Sequence, residues 1–220
     1  MKKKLVLISL FVLPIVTYLF FASGVHNFVK LPIVKENVGD LKGFHDVNAK
    51  PISMKGKISM VNFLGDNVED IKASVFNLNE KIYKRFQGFN DFQMLFVLPE
   101  GLENDAQKLK DELSVTTNTS QINFAFGSPD QIRAYQQHLY NGISLNEHLY
   151  TPYVFIVDKD LNLRGRTDDD TKGKMYCYDA SSVAELTNKM VDDVMVLLAE
   201  YRLELKKYNK DKSQRDSYLK

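Results

Sequence analysis

A single cysteine, Cys177, stands among 220 residues. No intramolecular disulfide can form, so the folded chain must draw its stability from its core. Net charge is scarce as well, since 29 basic residues nearly balance 28 acidic ones. The formal net charge is +1, and no basic block of the kind nucleic acid requires is present, which argues against that partner class. There is no Ser/His/Asp set, no glycine-rich phosphate loop and no paired-carboxylate motif, so the usual carriers of hydrolytic and nucleotide chemistry are missing. No cysteine lies near the N-terminal apolar run, which excludes bacterial lipoprotein acylation.

What is present begins with that run. Met1-Lys2-Lys3-Lys4 precedes an uncharged, apolar-rich stretch from Leu5 to Ala22, near the lower end of what crosses a bilayer and longer than the core of an ordinary signal peptide. The lysines keep the N-terminus cytoplasmic, so everything after about residue 25 is expected on the far side. Residues 1–25 therefore read as a membrane anchor. The alternative is a cleaved signal, with small residues at Ala22-Ser23-Gly24. Either way the domain is exported, and the expected location is a bacterial inner membrane, single-pass, with the domain on the periplasmic side. Residues 26–56, with Pro32, Pro51, Gly39, Gly43 and Gly56, read as a tether and an N-terminal hairpin.

Residues 57–208 form the domain proper, a size that buries a full core. Ile58–Leu64 is apolar at nearly every position and suits a central strand covered on both faces. Gly65 breaks it. Asp66 and Glu69 have the spacing of a capping box, which predicts a helix from about residue 66 to 86. Val68, Ile71, Val75, Leu78, Ile82 and Phe86 line one face of that helix at three- and four-residue spacing.

A second buried strand follows at Phe92 to Leu98, then a short charged helix from Asn104 to Leu113. A further strand runs from Ile122 to Phe126, and Ser128-Pro129 opens a helix reaching about Tyr140. Val154 to Val157 and Leu163 to Arg166 make an edge hairpin, preceded by Thr151-Pro152. The last helix is expected from about Ser181 to Tyr208, and 209–220 as a charged tail. Alternating strands and helices predict an α/β fold with a central sheet covered by helices on both faces.

In this order the chain resembles the SCO/SenC family of membrane-anchored, thioredoxin-like copper proteins over roughly residues 35 to 205. The likeness lies in GKISMVNF before the first domain helix, in INFAFGSPDQI, and in the FIVDKDLNLRGR hairpin. It implies a thioredoxin-like fold with a central mixed sheet, a cis proline at Pro152 against the head of the first domain helix, and a role in assembling cytochrome oxidase. It also implies a copper site of two cysteines in the loop after the first strand and a histidine before the hairpin. Those positions fall on Val68, Lys72 and Tyr150, so all three ligands are absent.

Copper(I) requires soft ligands and disulfide exchange requires a thiolate, and these residues supply neither. Copper and redox activity are therefore not carried over, and no cofactor is expected. The degenerate face is expected to bind another envelope or membrane protein without reacting with it. Asp66, Asn67, Glu69 and His148 are its candidate contact residues. The alternative is a metallochaperone or thiol-dependent protein that uses non-standard ligands, His148 and Cys177. Met54, Met60 and Met94 read as core filling. Asp168-Asp169-Asp170 reads as a solvated run.

Overall fold

The computed structural model of the chain describes residues 2–22 and 30–218, and the side chains of 10–20 and 30–204. The alternative cleavage site around Ser23-Gly24 and the first residues of the tether lie outside the described residues, as do positions 219–220.

The N-terminal segment is helical over Lys2–Ala22, with Pro14 inside it. Leu10, Phe11, Leu13, Ile15, Leu19 and Phe20 are all exposed. Among the described residues no helix is long and apolar enough to cross a membrane.

The domain is built on one mixed sheet in the order β1-β6-β5-β2-β3-β4. The strands are β1 (Ile33–Lys35), β2 (Ile58–Leu64), β3 (Phe92–Pro99), β4 (Ile122–Gly127), β5 (Tyr150–Val157) and β6 (Leu163–Arg164). β2, β3 and β4 run parallel, while β5, β6 and β1 are antiparallel to their neighbours. A hairpin of β7 (Arg166–Asp169) and β8 (Gly173–Met175) stands apart, and β9 (Tyr178–Asp179) pairs with β5.

Successive strand residues point to opposite faces, so each central strand feeds two cores. Ile58, Met60, Met94, Phe96, Phe124, Val154 and Ile156 pack under the helix after β2, the charged helix Glu103–Ser114 and the final helix. Val61, Phe63, Leu95, Val97, Phe155 and Val157 pack under the helix Pro129–Leu139 and the segment that carries Val38, Phe44 and Met54. Every residue of β2 is buried, as expected for a strand covered on both faces. The methionines divide between the two cores, Met60 and Met94 beneath one set of helices and Met54 on the other side, each filling space.

The helix Pro129–Leu139 starts as its sequence predicts. Ser128 Oγ accepts the Gln131 N–H and the Gln131 side chain accepts the Ser128 N–H, a complete capping box with proline in the first turn. The helix after β2 departs from expectation. It begins at Lys72, not Asp66, and runs Lys72–Leu78, through a π turn at Asn79–Tyr83, to Lys84–Phe86. No side chain caps it. Asp66, the expected cap, turns instead toward a neighbouring loop, and 68–71 form a turn that precedes the helix.

Pro152 is a second correction. No cis peptide bond occurs among the described residues, so Thr151–Pro152 is trans. Pro152 lies within β5 where the pairing with β2 shifts register between Asn62 and Leu64. Such an irregularity accommodates a residue with no N–H to offer the ladder. Asn62 Nδ2 spans it, donating to the carbonyls of Thr151 at 3.5 Å and Tyr153 at 2.8 Å.

Two smaller differences remain. The segment before β2 contributes strand β1 to the sheet edge, and its hairpin is reduced to a bridge between His45 and Pro51. The final helix comprises Val183–Glu185, a π turn at Leu186–Met190, and Val191–Tyr218, so its backbone continues beyond Tyr208 through most of the expected tail.

Candidate partner-docking face

The sheet brings the end of β2 beside the start of β5, because Leu64 is paired with Tyr150. Gly65 then turns the chain with φ +74°. A side chain here is blocked twice over. The left-handed conformation disfavours a Cβ, and a Cβ would lie 2.3 Å from the His148 carbonyl oxygen and 2.9 Å from Tyr150 Cβ. The two loops therefore touch through backbone, and the Asp66 N–H donates to that same His148 carbonyl at 3.0 Å.

The side chains repeat the contact. His148 Nδ1 lies 3.0 Å from Asp66 Oδ1, with both groups about half exposed. Asn67 Nδ2 donates to Asp70 Oδ2 at 2.6 Å. On the opposite loop the Tyr150 N–H donates to Asn146 Oδ1 at 2.9 Å, and Arg133 reaches the carbonyls of Asn146 and Glu147. A cavity of about 250 Å³ opens between the loops, bordered by Leu64, Asn67, Asp70, Asn146, His148 and Tyr150.

The three positions where the resemblance implies copper ligands have other uses. Val68 is buried in the core beneath the helix. Lys72 is held by Glu112 at 2.7 Å and Glu69 at 2.9 Å. Its hydrogen bonds to Glu112 and then Glu69 raise its pKa, so it stays an ammonium and is no nucleophile. Tyr150 is half-buried against the same core.

Cys177 belongs to a different neighbourhood. It packs at the border of the second core, beside a stacked pair of rings, Tyr140 and Tyr176, whose centroids are 4.3 Å apart. Burial pushes its thiol up to about 12, which leaves almost no thiolate at neutral pH. Of the residues singled out from the sequence, the fold thus brings Asn67 and His148 to one cavity, pairs Asp66 with His148, binds Glu69 to Lys72, and keeps Cys177 apart.

The aspartate run divides too. Asp169 is buried and accepts from Lys189 Nζ at 2.7 Å, from Thr171 Oγ1 at 2.8 Å and from two backbone N–H groups. Lys189 first and Thr171 second hold its carboxyl well below the usual carboxylate range. Nearby, Asp193 accepts from Arg166 at 2.7 Å and from the Tyr178 hydroxyl at 2.6 Å, tying the β7–β8 hairpin to the final helix. Among the described residues no three His, Cys, Asp or Glu side chains are grouped to hold a metal ion.

Asn146, Asp70 and Arg133 shape the cavity but carry no sequence signal of their own. Asn146 accepts the Tyr150 N–H from four residues earlier in the same loop, and the pairing of Leu64 with Tyr150 sets that loop beside the end of β2.

No family model and no curated protein matches this sequence. Solved structures do. BsSco, a member of the Sco family of cytochrome c oxidase assembly proteins, aligns at 15% identity over 77% of this chain and 98% of its own, with a TM-score of 0.55. A SCO1/SenC family lipoprotein from Bacillus anthracis aligns at 15% identity over 77% and 99%, with a TM-score of 0.52. A putative protein disulfide isomerase from Bacteroides thetaiotaomicron aligns at 12% identity over 80% and 98%, with a TM-score of 0.53. At these identities the likeness is one of fold, and the mixed sheet with helices on both faces has the thioredoxin-like fold that SCO/SenC proteins share with disulfide isomerases.

Proposed function

We propose that this chain is a membrane-tethered, non-catalytic thioredoxin-like protein of the bacterial envelope, which binds a partner protein through the face between residues 65–71 and 146–150. The observation that carries this reading is the content of the junction after β2. Where thioredoxin-like redox and copper proteins place thiols, this chain places a hydrogen-bonded Asp66–His148 pair, with His148 at the border of a cavity of about 250 Å³. The lone cysteine is in another part of the domain with its thiol suppressed. What the face offers is a carboxylate, an imidazole and two amides at the rim of a cleft, which is recognition chemistry.

The tether rests on Leu5 to Ala22, uncharged and rich in apolar residues and preceded by three lysines, and on helical backbone over Lys2–Ala22. It sets the domain on the periplasmic side of the inner membrane. Because structural neighbours include a member of a cytochrome c oxidase assembly family, oxidase-assembly components are the first partners to examine.

Crosslinking in intact membranes tests the reading. The wild-type chain captures an envelope protein, and reversing charge with Asp66→Lys and Glu69→Lys reduces the capture more than truncation after Tyr208. If truncation is the more damaging change, the face between the loops is scaffold and the proposal fails.

A further inference from the structure

The final helix and the entry of the chain into the domain meet at one place. Lys30, the first described residue after the N-terminal helix, reaches Glu200 at 3.4 Å and Glu204 at 3.2 Å. Leu31 and Pro32 border Asp193 and Val196. The chain therefore runs antiparallel to the final helix here, and tracing it backward from Pro32 to Lys30 leads toward the C-terminal end of that helix. Only residues 23–29 separate Lys30 from Ala22, a span of at most about 28 Å even fully extended. The helix continues from Glu204 to Tyr218, about 21 Å more.

Charge changes sign at the same point. After Glu204 the chain carries Lys206, Lys207, Lys210, Lys212, Arg215 and Lys220 against Asp211 and Asp216. Subtracting these and Lys2-Lys3-Lys4 from the totals of 29 basic and 28 acidic residues leaves 20 basic against 26 acidic over 5–204. The net charge is thus −6 for that body and +4 for the segment after Glu204. An anionic surface repels the first and attracts the second.

We propose that the C-terminal end of the final helix docks on anionic phospholipid headgroups of the membrane that holds the N-terminal helix, so that the domain is fastened to the bilayer at two points. This rests on the tethered reading above, since the short span 23–29 is what brings the helix end within reach of the surface. A basic segment beside an anionic bilayer is attracted in proportion to its lysines and arginines, and salt screens the attraction. The two-point arrangement also fixes orientation, because a second contact restrains rotation of the domain about the first.

The full chain, carrying Cys177→Ser and a donor dye on Ser213→Cys, is reconstituted in vesicles of phosphatidylcholine alone or mixed with phosphatidylglycerol, with an acceptor dye on the lipid. Energy transfer is expected to be high in the mixed vesicles, to collapse in high salt, and to be low in phosphatidylcholine. Reversing Lys206, Lys207, Lys210 and Lys212 to glutamate lowers the docked fraction at least about tenfold. Equal transfer in the two vesicle types overturns the proposal, as does indifference to salt or to charge reversal. Flotation separates this from the tether. A chain that floats with phosphatidylcholine while its transfer ignores phosphatidylglycerol keeps its anchor and loses the second contact. A chain that floats only with phosphatidylglycerol keeps the lipid contact and refutes the anchor.

Discussion

Replacing Gly65 by alanine puts a methyl group where the structure has no room for one. Two costs arise together. At φ +74° the left-handed backbone disfavours any Cβ by about 1 kcal/mol. The new Cβ would also meet the His148 carbonyl oxygen at 2.3 Å, and that atom is backbone, so it can retreat only if the end of β5 moves away from β2. Such overpacking costs about 1–3 kcal/mol. The movement also lengthens the Asp66 N–H bond to the His148 carbonyl, worth about 1 kcal/mol. The sum is about 3–5 kcal/mol.

Gly56 provides the control, because it too has positive φ, +81°, but nothing stands within 4 Å of the Cβ it would gain. Gly56→Ala therefore carries the backbone cost alone, about 1 kcal/mol. In thermal melts followed by circular dichroism, Gly65→Ala is expected to fall by about 10 °C and Gly56→Ala by about 3 °C. The partner capture described above should weaken in the first and persist in the second. Equal melting temperatures would refute the argument, since the contact between the loops would then carry no energy.

Two further outcomes follow from buried titratable groups. Asp169 has a folded-state pKa held below the ordinary value of 3.8, by Lys189 first and Thr171 next, so its contribution is complete above the ordinary carboxylate range and is lost as the pH falls below it. Urea melts at successively lower pH, from about 5 down to about 3, should show stability falling less steeply in Asp169→Asn than in the wild type; parallel slopes would dismiss the Lys189 pair as a contributor. Cys177, with its thiol raised to about 12 by burial, should alkylate at least about a hundredfold more slowly at neutral pH than an unperturbed cysteine, and labelling at the ordinary rate in the folded protein would show that the site is open and reactive.

Local patterns determined most of the architecture. The apolar run Ile58–Leu64 reads as a strand covered on both faces, and every residue of it is buried, because uninterrupted apolar character leaves no side for water. Ser128, Pro129 and Gln131 define a helix start through hydrogen bonds that close within three residues, so no distant contact competes with them. The absence of thiols and histidine from the junction after β2 is likewise a fact of sequence, and it removes the soft ligands and the thiolate that copper and disulfide chemistry need there.

Distance along the chain marks where that legibility stops. Asp66 and Glu69 have capping-box spacing, yet Asp66 faces His148, 82 residues away, and the helix starts at Lys72. A local motif lost to a tertiary partner that no window around residue 66 contains. Pro152 reads as a cis proline by analogy, but the register shift between Asn62 and Leu64 gives a trans proline its place in β5, and that shift belongs to the pairing of two strands. The cavity beside Tyr150, the retreat of Asp169 from a seemingly solvated run to Lys189, and the seating of Lys30 against Glu200 and Glu204 are of the same kind. Each is an encounter between segments far apart in sequence, decided when the sheet sets its strand order and the helices close over its two faces.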